Sequence, residues 1–324
     1  MKILVLGGAG YIGSHTCKLL AKQGHYVITY DNLSSGYREF IKWGPFEFGD
    51  VRDYASLRKV VYKYNPDGLI HFASSISVGE SVEDPGSYFE NNILGSLRVM
   101  EVLRDEGVRP LVVSSSAAVY GLPNKILVSE KAPTNPINPY GRTKLVMEWM
   151  LRDFAVAHKL PWVALRYFNA SGADLDAEIG EWHKPETHLI PNVLRAIINS
   201  NQPLRVFGND YPTKDGTCIR DYIHVLDLAK AHYLALEYLT QNKPSVSLNL
   251  GSGVGISIKE IINTAEKVTQ KKVPYTLYPR RPGDPAELVA EAAKAREILN
   301  WIPEHSDTNK IITTAWQWLL KTTK

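Results

Sequence analysis

Tyr140 and Lys144 stand four residues apart in the string YGRTK, a spacing that puts both on one face of a helix, one turn from each other. A free tyrosine has a pKa of ~10, and making it a base near neutral pH demands roughly 4 kcal/mol. A cation ~5 Å away at an effective dielectric of ~20 supplies roughly 3 kcal/mol, and a second positive charge beside the ring would supply the rest. Tyr140 is therefore a candidate phenolate base. Alone, Tyr-x-x-x-Lys fits a solvated helix face equally well. Upstream, VVSSSAAVYG reads as an apolar strand whose serines emerge at its carboxyl end, where ligands sit in parallel α/β sheets. Ser116 is placed there to hydrogen-bond a hydroxyl that Tyr140 deprotonates.

A second constellation opens the chain. KILVL runs into GGAGYIG, where Gly7, Gly10 and Gly13 recur at steps of three at the head of a helix-like stretch. A strand-to-helix turn with few side chains lets a pyrophosphate rest on backbone N–H groups at the helix N-terminus. Gly7 permits the turn, Gly10 close approach, and Gly13 the packing of helix on sheet. The next strand, YVITYDN, ends in Asp31, 18 residues after Gly13. That is near the spacing expected of a carboxylate that grips an adenosine ribose and repels a 2′-phosphate. No arginine adjoins Asp31, and Arg38 is seven residues on. The expected cofactor is NAD, not NADP.

The elements that must hold these groups alternate. KILVLG, YVITYD, PFEFGD, GLIHFA, PLVVSSS and WVALRYF read as buried strands, with helices over 11–23, 54–64, 85–106 and 140–159 between them. Such a pattern predicts α/β architecture, a doubly wound parallel sheet of the Rossmann type. After Phe168 the texture turns to loops and shorter helices near 190–199 and 225–239. We expect an NAD-binding domain over 1–168 and a smaller substrate lobe over 169–324, with segments near 224–252 returning to the first. A net charge of +3, spread without a Lys/Arg block, gives no electrostatic case for nucleic acid or an anionic membrane. Two cysteines, Cys17 and Cys218, exclude a disulfide framework. With no leader or long apolar span in view, a cytoplasmic protein is expected. His71 and His224 read as hydrogen-bonded packing residues. His183 and His188 show no companion set at metal spacing, so no metal is expected.

The strings GGAGYIG, Asp31-Asn32, GDVRD, HFA, VGES, Asn91-Asn92, SSSAAVYG, YGRTK and LRYFN, in that order, resemble the extended short-chain dehydrogenase/reductase family. GNDYPTKDGTCIRDYIHVLDLA and RRPGD narrow the resemblance to its UDP-glucose (UDP-galactose) 4-epimerase branch, from residue 1 to about Trp301. The resemblance implies transient NAD-dependent oxidation at sugar C4 and NAD contacts at Tyr11, Ile12, Asp31, Asn32, Leu33, Ser34, Ser35, Gly36, Asp50, Val51, Phe72, Ala73, Asn91 and Phe168. It gives Tyr140, Lys144 and Ser116 the catalytic places, with contacts to cofactor and substrate. UDP-sugar contacts fall on Asn169, His188, Leu189, Arg205, Val206, Phe207, Arg220, Arg281 and Asp284, and Leu288 takes the position that closes the hexose pocket. Guanidinium groups suit a diphosphate, offering paired donors to its oxygens.

Three positions depart from some relatives: Ile76 stands for Lys, His188 for Asn and Ala118 for Thr. None touches the tyrosine–lysine pair. Two rival readings are a nucleotide-sugar 4,6-dehydratase and a non-catalytic NAD sensor. The first calls for an Asp-Glu pair where Ala117 and Ala118 stand, and the second has no need of Tyr140 with Lys144. The resemblance further implies a homodimer through the helices over 85–106 and 140–159.

Overall fold

Strands without a polar face need cover on both sides, and this chain supplies it. The computed structural model describes residues 1–107, 110–281 and 283–323. In chain order the strands are β1 (Lys2–Leu6), β2 (Tyr26–Asp31), β3 (Phe46–Phe48), β4 (Gly68–His71), β5 (Leu111–Ser116), β6 (Leu127–Val128), β7 (Trp162–Tyr167), β8 (Asn169–Ser171), β9 (Leu204–Phe207), β10 (Ile219–His224), β11 (Val246–Leu250), β12 (Gly255–Ser257), β13 (Tyr275–Tyr278) and β14 (Glu287–Ala290). Among the described residues seven of them form one sheet in the order β11-β7-β5-β4-β1-β2-β3. Every pairing in it is parallel. On one face, helices Tyr11–Lys22, Val225–Thr240 and Ala293–Leu299 close a core around Ile3, Val5, Val163 and Leu248. On the other, Tyr54–Tyr64, Gly95–Glu106 and Pro139–His158 close a second core around Leu4, Leu6, Val113 and Ala164. This is the doubly wound sheet that the sequence predicts.

The chain then builds a smaller layer. Strands β12-β10-β14-β6 form a second sheet, β8 also pairs β10, and β13 pairs β9. Helices Leu189–Ile198, Ile258–Thr269 and Thr308–Thr322 pack a third core with β9 and β10. From β10 the chain re-enters the large sheet: helix Val225–Thr240 covers it and β11 forms its edge against β7. No helix among the described residues is long and apolar enough to cross a membrane.

One helix differs from expectation. The stretch 85–106 is Pro85–Tyr88, then a π-helical turn Phe89–Leu94, then Gly95–Glu106. The wider turn presents Asn92, buried, to Ser75 and Thr143. Its Oδ1 accepts from Ser75 N at 2.8 Å, and its Nδ2 donates to Ser75 O at 3.1 Å and Thr143 Oγ1 at 3.0 Å. A regular helix would aim that side chain elsewhere.

Candidate active site

Helix Pro139–His158 begins where its sequence says it should: Pro139 sits in the first turn and the Asn138 side chain accepts from Gly141 N at 2.8 Å. Tyr140 therefore lies in the first turn, Lys144 one turn on and Glu148 one more, along a single face. Lys144 is buried, with Nζ 5.9 Å from the centre of the Tyr140 ring. Nζ donates to Ser74 Oγ at 2.8 Å, Ser114 O at 2.9 Å and Ser114 Oγ at 3.2 Å. Ser116 ends β5, accepts from Ala118 N at 3.1 Å and hydrogen-bonds the Tyr140 phenol. Tyr140, Lys144 and Ser116 are thus brought together.

Their protonation departs from the spacing argument. Burial raises Tyr140 above its usual value, the Ser116 hydrogen bond working the other way. Burial also lowers Lys144 to about 7. In the protein by itself desolvation disfavours both charged forms, and Lys144 is directed at Ser74 and Ser114. The expected lowering of Tyr140 is therefore absent without a further positive charge.

The glycine turn is built for a ligand. Gly7 has φ +80°, and a Cβ there would lie 2.6 Å from Ala73 N; one on Gly13 would lie 2.2 Å from Gly7 O. Gly10 caps helix Tyr11–Lys22 with no side-chain bond, and no acidic residue occupies the first turn. An uncapped helix end in a glycine turn fits a pyrophosphate. Asp31, buried at the end of β2, accepts from Ala9 N at 3.0 Å and Leu33 N at 2.8 Å. Arg38 lies over the Phe46 ring at 5.5 Å.

The other expected cofactor residues gather along the same sheet edge. Asn32 donates to Asp50 Oδ2 at 2.9 Å and accepts from Ser34 N, while Ser35 and Gly36 continue the turn against Ala9. The Arg52 side chain holds Asp50 down at about 2. Val51 and Ile12 lie in or against the cores, and Phe72 packs on His232 at 4.5 Å. Tyr11 donates its hydroxyl to Gly172 O at 2.6 Å, and Asn91 donates to Ser75 Oγ at 3.1 Å.

The second lobe supplies the remaining residues. Leu288, on β14, packs against the cluster of Ala117, Val119, Tyr120, Val128 and Leu145, which Phe168 also joins, so that strand abuts the segment after Ser116. Arg220 is its register partner on β10 and donates to Asp284 Oδ1 at 2.7 Å. Asp284 is thus paired with Arg220, while Arg281 lies over the Phe207 ring at 4.0 Å. Asn169 donates to Asp221 O at 2.8 Å. Val206 and Leu189 pack in the third core, and His188 caps helix Leu189–Ile198. Arg205 is exposed, over Tyr278 at 5.6 Å. Pro282, inside the RRPGD string, lies outside the described residues.

His71 and His224 have the expected packing roles, bonded to Ser96 Oγ at 3.2 Å and Thr314 Oγ1 at 3.0 Å. His183 and His188 need correction. Their companions are Glu181 and Glu186, and one ligand atom from each of the four lies within 4.8 Å of the others. A carboxylate stands two residues before each histidine, and it is the fold of the loop that gathers the four. Burial opposes charge on both rings, but the two carboxylates outweigh it and raise His183 to about 9 and His188 to about 10.

Residues 3–251 match the model of the NAD dependent epimerase/dehydratase family. The chain belongs to that family. Within this epimerase/dehydratase family, the chain is 50% identical over 319 residues to UDP-glucose 4-epimerase of Rhizobium leguminosarum bv. trifolii, covering 98% of this chain and 97% of the relative. The structure of UDP-glucose 4-epimerase from Brucella ovis in complex with NAD superposes with a TM-score of 0.96 at 50% identity, over 98% and 97% of the two chains. That of the Stenotrophomonas maltophila enzyme, with bound NAD and formylated UDP-arabinopyranose, gives 0.97 at 41% identity, over 100% and 99%.

For a family member read from sequence, Ser74, Ser114 and Asn92 were missed. The run of serines in SSSAAVYG and the doubled Asn91-Asn92 were the available signals. The buried Lys144 yields a pH test. Its folded pKa lies below the unfolded one, so the unfolded chain holds more protons between about pH 7 and 10 and this group's penalty shrinks as pH rises through that window. With NAD stripped, urea midpoints of the protein and of Lys144→Met should converge from pH 7 toward pH 10. A constant gap would show that Lys144 does not titrate there.

Proposed function

We propose that this chain interconverts UDP-glucose and UDP-galactose by transient oxidation at sugar C4, with NAD retained through the cycle. The observation that carries it is Tyr140 held between Ser116 and Lys144 at the carboxyl end of β5, beside an uncapped glycine turn. Identity of 50% to a UDP-glucose 4-epimerase over nearly the whole chain supports the same reading. Residues 1–168 would hold NAD and 169–324 the UDP-sugar.

Gly7, Gly10 and Gly13 would seat the pyrophosphate, Asp31 the adenosine ribose, and Lys144 and Tyr140 would lie by the nicotinamide. Bound NAD supplies a hydride acceptor that later returns the hydride, and its oxidised ring carries a positive charge. Tyr140 takes the proton of the sugar 4-hydroxyl, Ser116 hydrogen-bonding the same oxygen. That added charge offsets the burial that keeps the phenol neutral in the free protein. Arg220, Arg281 and Arg205 would hold the diphosphate while the hexose, loosely held, turns its other face toward the cofactor, and Tyr140 gives the proton back to the 4-oxygen. The dehydratase alternative lacks its acid and base, since Ala117 and Ala118 fill those places. Buried free thiols at Cys17 and Cys218 support a cytoplasmic setting.

Tyr140→Phe should lower turnover by ~100-fold or more, as loss of a general base does, and leave NAD bound. Near-normal conversion of UDP-galactose by the variant would remove Tyr140 from that role.

A homodimer is part of the proposal. Helices Gly95–Glu106 and Pro139–His158 pack together, Trp149 and Val156 stand exposed on the second, and Phe89 is exposed on the π-helical turn that leads into the first. Light scattering should give twice the chain mass, falling to one chain in Trp149→Glu. An unchanged mass in that variant would place the contact elsewhere.

Substrate breadth is assigned to Leu288, which packs against the cluster that holds Ala117. A leucine there leaves room beside sugar C2 that a bulkier tyrosine would fill. We expect measurable epimerisation of UDP-N-acetylglucosamine alongside better activity on UDP-glucose. Leu288→Tyr should abolish the first and spare the second. Equal survival of both would move the gate to another residue.

A further inference from the structure

The segment EWHKPETH, between β8 and helix Leu189–Ile198, carries the pattern Glu-x-His twice: Glu181 with His183, Glu186 with His188. The side chains of Glu181 and Glu186 are 6% and 1% exposed. Carboxylates so far from water demand either hydrogen-bonded partners or a cation. Imidazole nitrogens surround them: His183 Nδ1 lies 3.5 Å from Glu181 Oε1 and 3.7 Å from Glu186 Oε2. His188 Nδ1 lies 2.8 Å from Glu181 Oε1 and 3.3 Å from Glu186 Oε1.

These contacts are close, yet their alignment falls short of hydrogen-bond geometry. His183 Nδ1, His188 Nδ1 and Glu186 Oε2 are all buried with no hydrogen-bond partner. Donors facing acceptors would align along N–H···O; lone pairs aimed at a shared centre would not. A tetrahedron of ligands about 2.0–2.1 Å from a zinc ion has edges of roughly 3.3 Å, which the separations of His183 Nδ1 from Glu181 Oε1 and Glu186 Oε2, and of His188 Nδ1 from Glu181 Oε1, straddle. A metal ion would displace the protons that the carboxylates otherwise favour on the two rings, and two carboxylates with two neutral imidazoles then carry a charge of −2, which a divalent ion cancels. Oxygen and imidazole donors without thiolate suit that class of ion.

We propose that Glu181, His183, Glu186 and His188 form a tetrahedral site for a divalent transition metal, zinc in the first place. Four protein ligands leave no open position, so the metal is structural rather than hydrolytic. It pins a loop that is also clamped by its aromatic neighbours. Trp182 stacks on Tyr37 at 4.8 Å, and Trp318 Nε1 donates to Glu181 O at 3.0 Å. It also fixes the entry to helix Leu189–Ile198. With Nδ1 on the metal, His188 keeps its Nε2–H as a donor, so one ring can serve the pin and a bound anion at once. The site stands on the loop's own residues and does not depend on which sugar is turned over.

Protein purified without a metal-affinity tag should contain about one zinc per chain by elemental analysis, or take up one equivalent after chelation and titration with Zn²⁺. Co²⁺ in its place should show the visible bands of a tetrahedral ion. Glu186→Gln, which keeps the side-chain volume, and His183→Ala should each weaken zinc binding by roughly tenfold or more. NAD content in both variants reports that the fold survives. No uptake at micromolar zinc overturns the site and leaves the four groups a proton-shared network of imidazolium and carboxylate. Uptake that both variants retain in full equally overturns it, placing the metal elsewhere. If neither variant keeps NAD, the Co²⁺ spectrum of the unaltered protein decides: tetrahedral bands uphold the site and an octahedral spectrum sinks it.

Discussion

Everything near Tyr140 depends on a carboxylate that never meets solvent. Glu148, fully buried on the face that carries Tyr140 and Lys144, accepts from Arg166 Nε at 2.8 Å and from Ser115 Oγ at 2.6 Å. Arg166 Nη1 then donates to Tyr120 Oη at 2.8 Å, and that hydroxyl donates to Asn249 Oδ1 at 2.6 Å. One network thus ties helix Pro139–His158 to β5, β7, β11 and the turn that follows Ser116. Such a pair gains little net stability over an apolar one, because desolvation offsets the attraction. Its worth is positional. A helix packed only by apolar contacts could slide or rotate a few tenths of an ångström at little cost, whereas a satisfied network of charged bonds has one arrangement.

The same logic divides the labour along the helix. Asn138 and Pro139 set where it starts, Glu148 sets its rotation, and Lys144 between them is held by Ser74 and Ser114 from two different strand ends. Tyr140 inherits a fixed position from all three. A neutral phenol and a lysine poised near neutrality are what burial leaves in the free protein, so the chemistry waits for the ligand that completes the charge balance.

The large sheet was legible because its strands are apolar on both faces and its helices amphipathic, so period and punctuation agreed. Tyr140, Lys144 and Ser116 could be read as a set, since helix spacing and strand ends are local geometry. The second lobe was not legible in this way. Leu127–Val128 and Gly255–Ser257 are too short to show a period, and their pairing with β14 and β10 is fixed by distant partners. The π-helical turn leaves no mark in Phe89–Leu94, being imposed by Asn92 reaching Ser75 and Thr143. The sense of the Tyr140 shift depended on desolvation, which spacing does not encode. Glu181 and Glu186 looked like loop acids until the fold buried them.

The position of β11 bears on how the protein is made. The edge of the large sheet beyond β7 stays open until Leu250 has been synthesised, about 80 residues after β7 is complete. At ~5–20 residues per second that interval lasts roughly 4 to 16 s. During it, Val163, Ala164 and Leu165 present unpaired backbone groups on an apolar strand, the kind of edge on which a second chain can add. The polar loops of 172–188 and 208–218 are translated first, and helix Val225–Thr240 arrives only just before the strand that closes the sheet. Until β11 pairs with it, β7 is the open edge of the nascent sheet, and it stays so while much of the second lobe is being made.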